Sequence, residues 1–304
     1  MNRIIGIIFF FCTNVYAQLN LDQCAINISE NFSPKVLELT DTYLLRHAHN
    51  ENTLYLHKGN SVKIFSFQNY GVIKAVIDKD ENFLAIANYN KKIEIFKIKD
   101  KNKIKSIKNL NSKAFALQFY KQKLFCGLSD GTVLVDSILT SKRLLLKAHT
   151  DVIRDICIYD SMLLTISHDG FLKAWDLNNA YKNLKNINFK KVLTKIAISN
   201  DKKSIAIGFF DGSVVILDDK FKQKVKFKPN KSIITQLKFK DNKTIISASF
   251  DKKIISTNID SLQSEVLFES KDYIITFDFI KNKFIYSDHS GTIYYHNLDC
   301  TIKQ

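Results

Sequence analysis

The chain has little of what bends or breaks regular structure. In 304 residues there are 2 prolines, 9 glycines, 5 cysteines and 1 tryptophan. Two prolines exclude a proline-rich linker or ligand segment. The sparse glycines form no GxGxxG or GxxxxGK run, which excludes the usual phosphate cradles. No two cysteines stand at CxxC spacing, so zinc ribbons, thioredoxin-like redox sites and covalent haem attachment are excluded as well. Arginine is nearly absent, with only Arg3, Arg46, Arg143 and Arg154. Nucleic-acid surfaces draw heavily on the arginine fork. The formal charge of +15 is carried by lysines scattered over every segment, and reads as a solvated surface with no nucleic-acid partner.

Long apolar runs are equally scarce. The one at the start, Ile4 to Cys12, follows Arg3 and precedes Val15-Tyr16-Ala17. A basic residue, a short apolar stretch and a small-residue end make a secretory signal peptide over residues 1 to 17, cleaved after Ala17. Nothing later approaches the roughly 20 apolar residues of a membrane span. The expectation is a periplasmic, monomeric protein without stable membrane insertion.

What the chain does contain is β-branched and aromatic residues in a repeating pattern. A short strand, a tight turn and a second strand recur seven times around Gly59, Asn90, Asp130, Asp169, Asp211, Asp251 and Ser290. Most of these anchors lie about 40 residues apart. Three positions after them stand Val62, Ile93, Val133, Leu172, Val214, Ile254 and Ile293, all aliphatic. The anchors are residue types that tolerate tight-turn angles. A further strand precedes each hairpin, as in "IRDICIY" and "IITQLKF", and outer strands such as "KRLLLKAH" follow. Four short strands per forty residues, without helical periodicity, predict an all-β, seven-bladed β-propeller. The domain reading is residues 1–17 signal peptide, 18–34 lead segment and 35–304 propeller. The short first spacing predicts a stunted outer strand in the first blade around Gln68 to Gly71.

The stretch "KAHTDVIRDICIYDSMLLTISHDGFLKAWDL", residues 147 to 177, resembles a WD40 repeat. Ala148-His149 stands in the Gly-His place and Trp175-Asp176 is the terminal pair. The other blades hold Phe, Asp, Leu, Thr or His where the tryptophan belongs. The resemblance implies that His149, Thr165, Asp169 and Trp175 form a structural hydrogen-bonded tetrad, in place of a catalytic triad. It also implies closure by an N-terminal strand, taken as Ser33 to Asp41, supplying the outer edge of the last blade. With both termini meeting there in an oxidising compartment, Cys24 and Cys300 are expected to form a disulfide. Cys126 and Cys157 are expected as buried free thiols.

No catalytic residue, cofactor or metal site is assigned. His47, His49 and His57 read as exposed strand histidines rather than a chelate. The functional expectation is an exported protein-binding scaffold or assembly factor. Its layout resembles the accessory proteins found beside the periplasmic nitrate reductase, whose components are then the expected partners. Two alternatives stand beside it. One is a metal-dependent propeller hydrolase or lyase using Asp136, Asp155, His168 and Asp288, and the other is a cell-envelope assembly scaffold.

Overall fold

Burial falls away across each repeat, and this gradient sets the architecture. The second strand of a repeat is covered on both faces, so Ser204–Phe209 is buried at every position and its sequence is almost continuously apolar. The fourth strand is nearly bare. Arg143–Lys147 has four exposed residues of five, which is why lysine and arginine gather there.

The computed structural model describes residues 25–29, 34–48, 53–58, 61–66, 71–281 and 283–297. Among these the chain forms twenty-eight β-strands and no helix, arranged as seven four-stranded antiparallel sheets. Blade 4 shows the plan, with Ile153–Tyr159, Met162–Ser167, Phe171–Asp176 and Asn183–Asn188 following one another from the inside outward. The innermost strands of blades 1 to 7 are Pro34–Leu39, Val72–Ile77, Ala114–Tyr120, Ile153–Tyr159, Leu193–Ile198, Ile234–Phe239 and Ile274–Ile280. Each lies against the next, and the last against the first. The ring is closed, as a seven-bladed propeller requires.

The core is layered between blades. Ala85, Ile93 and Ile95 of blade 2 pack with Leu117, Leu124 and Cys126 of blade 3. The aliphatic positions after the anchors, Ile93, Val133, Leu172, Val214, Ile254 and Ile293, are all buried, because each faces a neighbouring sheet. Cys126 is buried and Cys157 only partly so.

Two expectations are corrected. The closing strand is Ala25–Ser29, which pairs antiparallel with Thr292–Asn297. It falls inside the segment read as a lead. The stretch taken for it, Ser33 to Asp41, instead contains the innermost strand of blade 1. The first blade is also complete. Gly59 lies between Thr53–Lys58 and Ser61–Ser66, the third and fourth strands of that sheet, so it marks a different hairpin from the other anchors. The second and third strands of this blade, Leu44–Ala48 and Thr53–Lys58, pair antiparallel, and residues 49–52 that join them lie outside the described residues. Residues 1–24 and 298–304 also lie outside, and with them the expected signal peptide and the expected Cys24–Cys300 pair.

Every innermost strand carries an irregularity in its pairing with the second strand, at Ile153/Asp155 in blade 4 and at the corresponding place in the other six. A bulge inserts one residue and increases the local twist. All seven fall at the start of the innermost strand.

Candidate functional site

The turn between the second and third strands of each blade and the loop leading to the next blade share one end of the strands, and so form one face of the ring. In blade 4 that end is held by four side chains. Trp175 Nε1 donates to Thr165 Oγ1 (3.0 Å), Thr165 Oγ1 lies 2.8 Å from His149 Nε2, and His149 Nδ1 lies 2.9 Å from Asp169 Oδ2. The carboxylate can only accept, so the histidine carries its proton on Nδ1 and Nε2 accepts from the threonine hydroxyl. Burial holds His149 below the usual histidine range against the pull of Asp169. Burial alone would raise Asp169, but the Phe171 amide, His149 and the Thr150 amide together keep its carboxyl below the usual range.

The order acid, imidazole, hydroxyl is that of a hydrolase triad. Here, however, the hydroxyl is wedged between imidazole and indole, and Thr165 is 0% exposed. No substrate carbonyl can approach it.

Blade 6 repeats the device with different residues. Asn230 Nδ2 donates to both oxygens of Asp251 at 3.1 Å, and Ser247 Oγ donates to Asn230 Oδ1 at 2.6 Å. Asn230 and Ser247 are both buried. The sequence reading missed this trio. Its signal was an asparagine about twenty residues before the Asp251 anchor, with a serine four before it. Thr257 fills the tryptophan place and bonds Ser264 Oγ at 2.8 Å.

The inner strands carry a second set of fasteners. Asp278 Oδ2 accepts from the Leu39 amide (3.0 Å), Asp155 Oδ2 from the Ile196 amide (3.3 Å) and Glu38 Oε1 from the Ile77 amide (3.5 Å). Each carboxylate reaches the next blade. Lys238 Nζ adds an ion pair to Asp278 Oδ1 at 2.5 Å. Burial beside Asp278 raises Glu38 to about 7 despite the neighbouring Lys74 and Lys238. Burial lowers Lys195 to about 8.

The four residues considered for a channel metal do not converge. Asp155 belongs to the clamps just described. Asp136 is buried on the third strand of blade 3, paired with Lys105 and, at 2.9 Å, with Arg143 Nε. Asp288 accepts from Ser270, Ser290 and Tyr294 within blade 7, and His168 sits at the second-to-third turn of blade 4. Among the described residues no group of three His, Cys, Asp or Glu could hold a metal ion. His47 and His57 correct the expectation of exposed histidines. Both are buried, His57 Nε2 accepts from Arg46 Nε at 3.0 Å, and burial followed by the Arg46 charge lowers His57 to about 4. His49 lies outside the described residues.

Gly127-Leu128-Ser129-Asp130-Gly131 has the GxSxG spacing of a nucleophile elbow. In the structure it runs from a strand into a turn and on to another strand, and Ser129 Oγ accepts from the Lys113 amide at 3.2 Å. An elbow needs a strand, a sharp turn and a helix. This run is a blade turn, and Gly131 has φ of 81° with its missing Cβ replaced by the His149 carbonyl oxygen.

The same face carries an aromatic row. The residue before the anchor is Tyr89, His168, Phe210, Phe250 or His289 in five of blades 2 to 7, with Ser129 in blade 3. Phe210 is 53% exposed and Tyr273, on the adjoining loop, 46%. Tyr273 stacks on Phe250 with ring centroids 5.4 Å apart and meets His289 edge-on at 6.3 Å.

Seven closed four-stranded blades, with a His-Thr-Asp-Trp fastener in one of them, define the fold as a seven-bladed, WD40-like β-propeller. The WD40 β-propeller domain of Doa1 superposes with a TM-score of 0.76 at 15% identity, covering 90% of this chain and 96% of that one. The computationally designed Ika8 protein gives a TM-score of 0.70 at 17% identity over 88% of this chain and 97% of its own. Identities this low show the fold alone. No family model matches the chain. In sequence the chain is similar to the tRNA (guanine-N(7)-)-methyltransferase non-catalytic subunit wdr4 of Dictyostelium discoideum, with 35% identity over 89 residues, 28% of this chain and 19% of that protein. The match therefore spans about a fifth of the relative. Among the described residues no helix is long and apolar enough to cross a membrane.

Proposed function

We propose that this chain is a non-catalytic scaffold that docks a protein partner on the face built from the second-to-third turns and the loops between blades. The observation that carries the reading is the aromatic cluster there. Phe210 and Tyr273 leave about half of their surface to solvent, 53% and 46%, and Tyr273 stacks on Phe250. Exposed aromatics on a rigid frame are the usual anchors of protein interfaces. The tetrad of blade 4 serves to hold this frame, and a Cys24–Cys300 disulfide would lock the closing blade.

The finer reading is an exported accessory factor, sent out by residues 1–17 and acting beside the periplasmic nitrate reductase as NapL-type proteins do. The similarity to a non-catalytic methyltransferase subunit favours a second reading, a supporting subunit of a nucleic-acid-modifying enzyme. Affinity isolation of the tagged full chain from its native host, with mass identification of what accompanies it, separates them. Nitrate reductase components in a periplasmic fraction support the first, a tRNA-modifying methyltransferase supports the second, and purified chain turning over a substrate alone overturns both.

A further inference from the structure

A scaffold that joins components needs more than one place to hold them, and the opposite face of the ring has a pocket. A cavity of about 450 Å³ lies between blades 3 and 4, where the first-to-second turn of blade 3 meets the turn that follows the third strand of blade 4. Tyr120, Phe125, Leu177 and Tyr181 give it an apolar and aromatic lining, and Lys121 and Lys123 give it charge. The remaining lining residues, Gln122, Ser137 and Asn178, are uncharged, so two cations stand in the lining with no carboxylate.

Tyr181 is placed there at a conformational cost. Ala180 and Tyr181 have φ of 46° and 57°, the one consecutive non-glycine pair in the left-handed region among the described residues. They form a tight turn closed by the Lys182 amide on the Asn179 carbonyl at 2.9 Å, a turn type that normally takes Asn-Gly. The result stands the Tyr181 ring edge-on to Phe125, with centroids 6.2 Å apart, and brings its hydroxyl within 3.1 Å of Lys123 Nζ. Lys121 and Lys123 are exposed at the rim, whereas Phe125 is buried at the base.

We infer that this pocket binds a short segment of a partner protein in which an aromatic side chain is flanked by acidic residues. The volume is within the usual range for a small buried ligand group. The aromatic walls suit an edge-to-face ring, and the two lysines suit carboxylates beside it. A docked aromatic would come up against the apolar cluster that contains Trp175, the one tryptophan of the chain, since Phe125, Tyr120, Leu177 and Tyr181 all pack in that cluster. The protein thus carries its own fluorescent reporter.

The test uses the purified full chain, titrated with the peptide Ac-Asp-Phe-Asp-NH2 and followed by tryptophan fluorescence and calorimetry. Ac-Lys-Phe-Lys-NH2, Ac-Asp-Ala-Asp-NH2 and adenosine monophosphate are the comparison probes. The expected result is a saturable fluorescence change with the acidic aromatic peptide, at least tenfold weaker binding of the other two peptides, and a reversed charge preference in Lys121→Glu/Lys123→Glu. Both lysines are exposed, so the double variant keeps its fold. Equal binding of all three peptides, no saturation, or indifference to the charge reversal would overturn the inference, and saturation by adenosine monophosphate instead would assign the pocket to nucleotides. A Phe210→Asp/Tyr273→Asp variant separates this inference from the docking face, because it should lose partner isolation and keep the peptide titration unchanged.

Discussion

Blades 4 and 6 solve one problem with different side chains. In each, a loop residue must satisfy an aspartate in the turn and a hydroxyl on the second strand. Blade 4 uses a histidine whose two nitrogens reach both, and adds an indole that fills space while donating to the same hydroxyl. Blade 6 uses an amide that donates with its nitrogen and accepts with its oxygen, and leaves the indole place to Thr257. In these two blades the second strand carries a hydroxyl, Thr165 or Ser247, and the loop answers it with a bifunctional polar group; blades 3 and 5 place apolar Leu110 and Phe189 at that loop position, and the indole occurs in blade 4 alone. This explains why only one repeat resembles a WD40 repeat strongly while all seven blades are built alike.

The largest effect should come from removing that reinforcement. Trp175→Ala takes a large buried side chain out of the layer between blades and should cost about 3–5 kcal/mol, read as a shift of the urea midpoint at constant slope. Thr257→Ala in blade 6 should cost well under half as much. His149→Ala leaves the Thr165 hydroxyl and the Asp169 carboxylate without their shared partner, at about 2–3 kcal/mol. Asn230→Ala removes the matching link in blade 6 and should fall slightly lower, about 1–3 kcal/mol on the same grounds. His149→Asn, which gives blade 4 the chemistry of blade 6, should recover roughly half of the alanine loss. If it recovers nothing, the two devices are not equivalent.

Smaller effects come from two titrating groups in blade 1, outside both fasteners. His57 is neutral in the folded chain down to about pH 4, whereas an unfolded histidine protonates near 6.5. Its contribution is therefore intact above 6.5 and lost as pH falls towards 4. Glu38 has the opposite sign. Its carboxyl is protonated in the folded chain up to about 7 and in the unfolded chain only near 4.5, so its contribution is present below 4.5 and lost as pH rises through 7. Glu38→Gln should be more stable than the parent at pH 8, with the difference vanishing by pH 4.5. His57→Gln, which keeps an acceptor for Arg46, should flatten the acid limb. Midpoints measured at half-unit pH intervals check both.

The blade rhythm was legible because strands covered on both faces must be apolar and turns must admit left-handed residues, and both leave marks at fixed spacing. Errors arose where one mark was ambiguous. Gly59 is a good turn residue, but of another hairpin, and this shifted the first blade by one strand. The closing strand, "AINIS", is short and only alternately apolar, so the more apolar "PKVLEL" next to it took its place in the reading. Of the fasteners, the blade 4 tetrad was visible because tryptophan and histidine are rare enough to stand out. Asn230 was hidden among many asparagines. The Asp278, Asp155 and Glu38 clamps and the pocket at Tyr181 depend on which blades become neighbours, and the local sequence of no single blade contains that.

The measurement closest to the central claim, a rigid non-catalytic ring that holds protein partners, is affinity isolation from the native host with the parent chain and Phe210→Asp/Tyr273→Asp side by side, both shown folded by circular dichroism. The expected result is a protein recovered in near-equal amount with the parent and lost with the variant. Identical recovery with both chains would contradict the account.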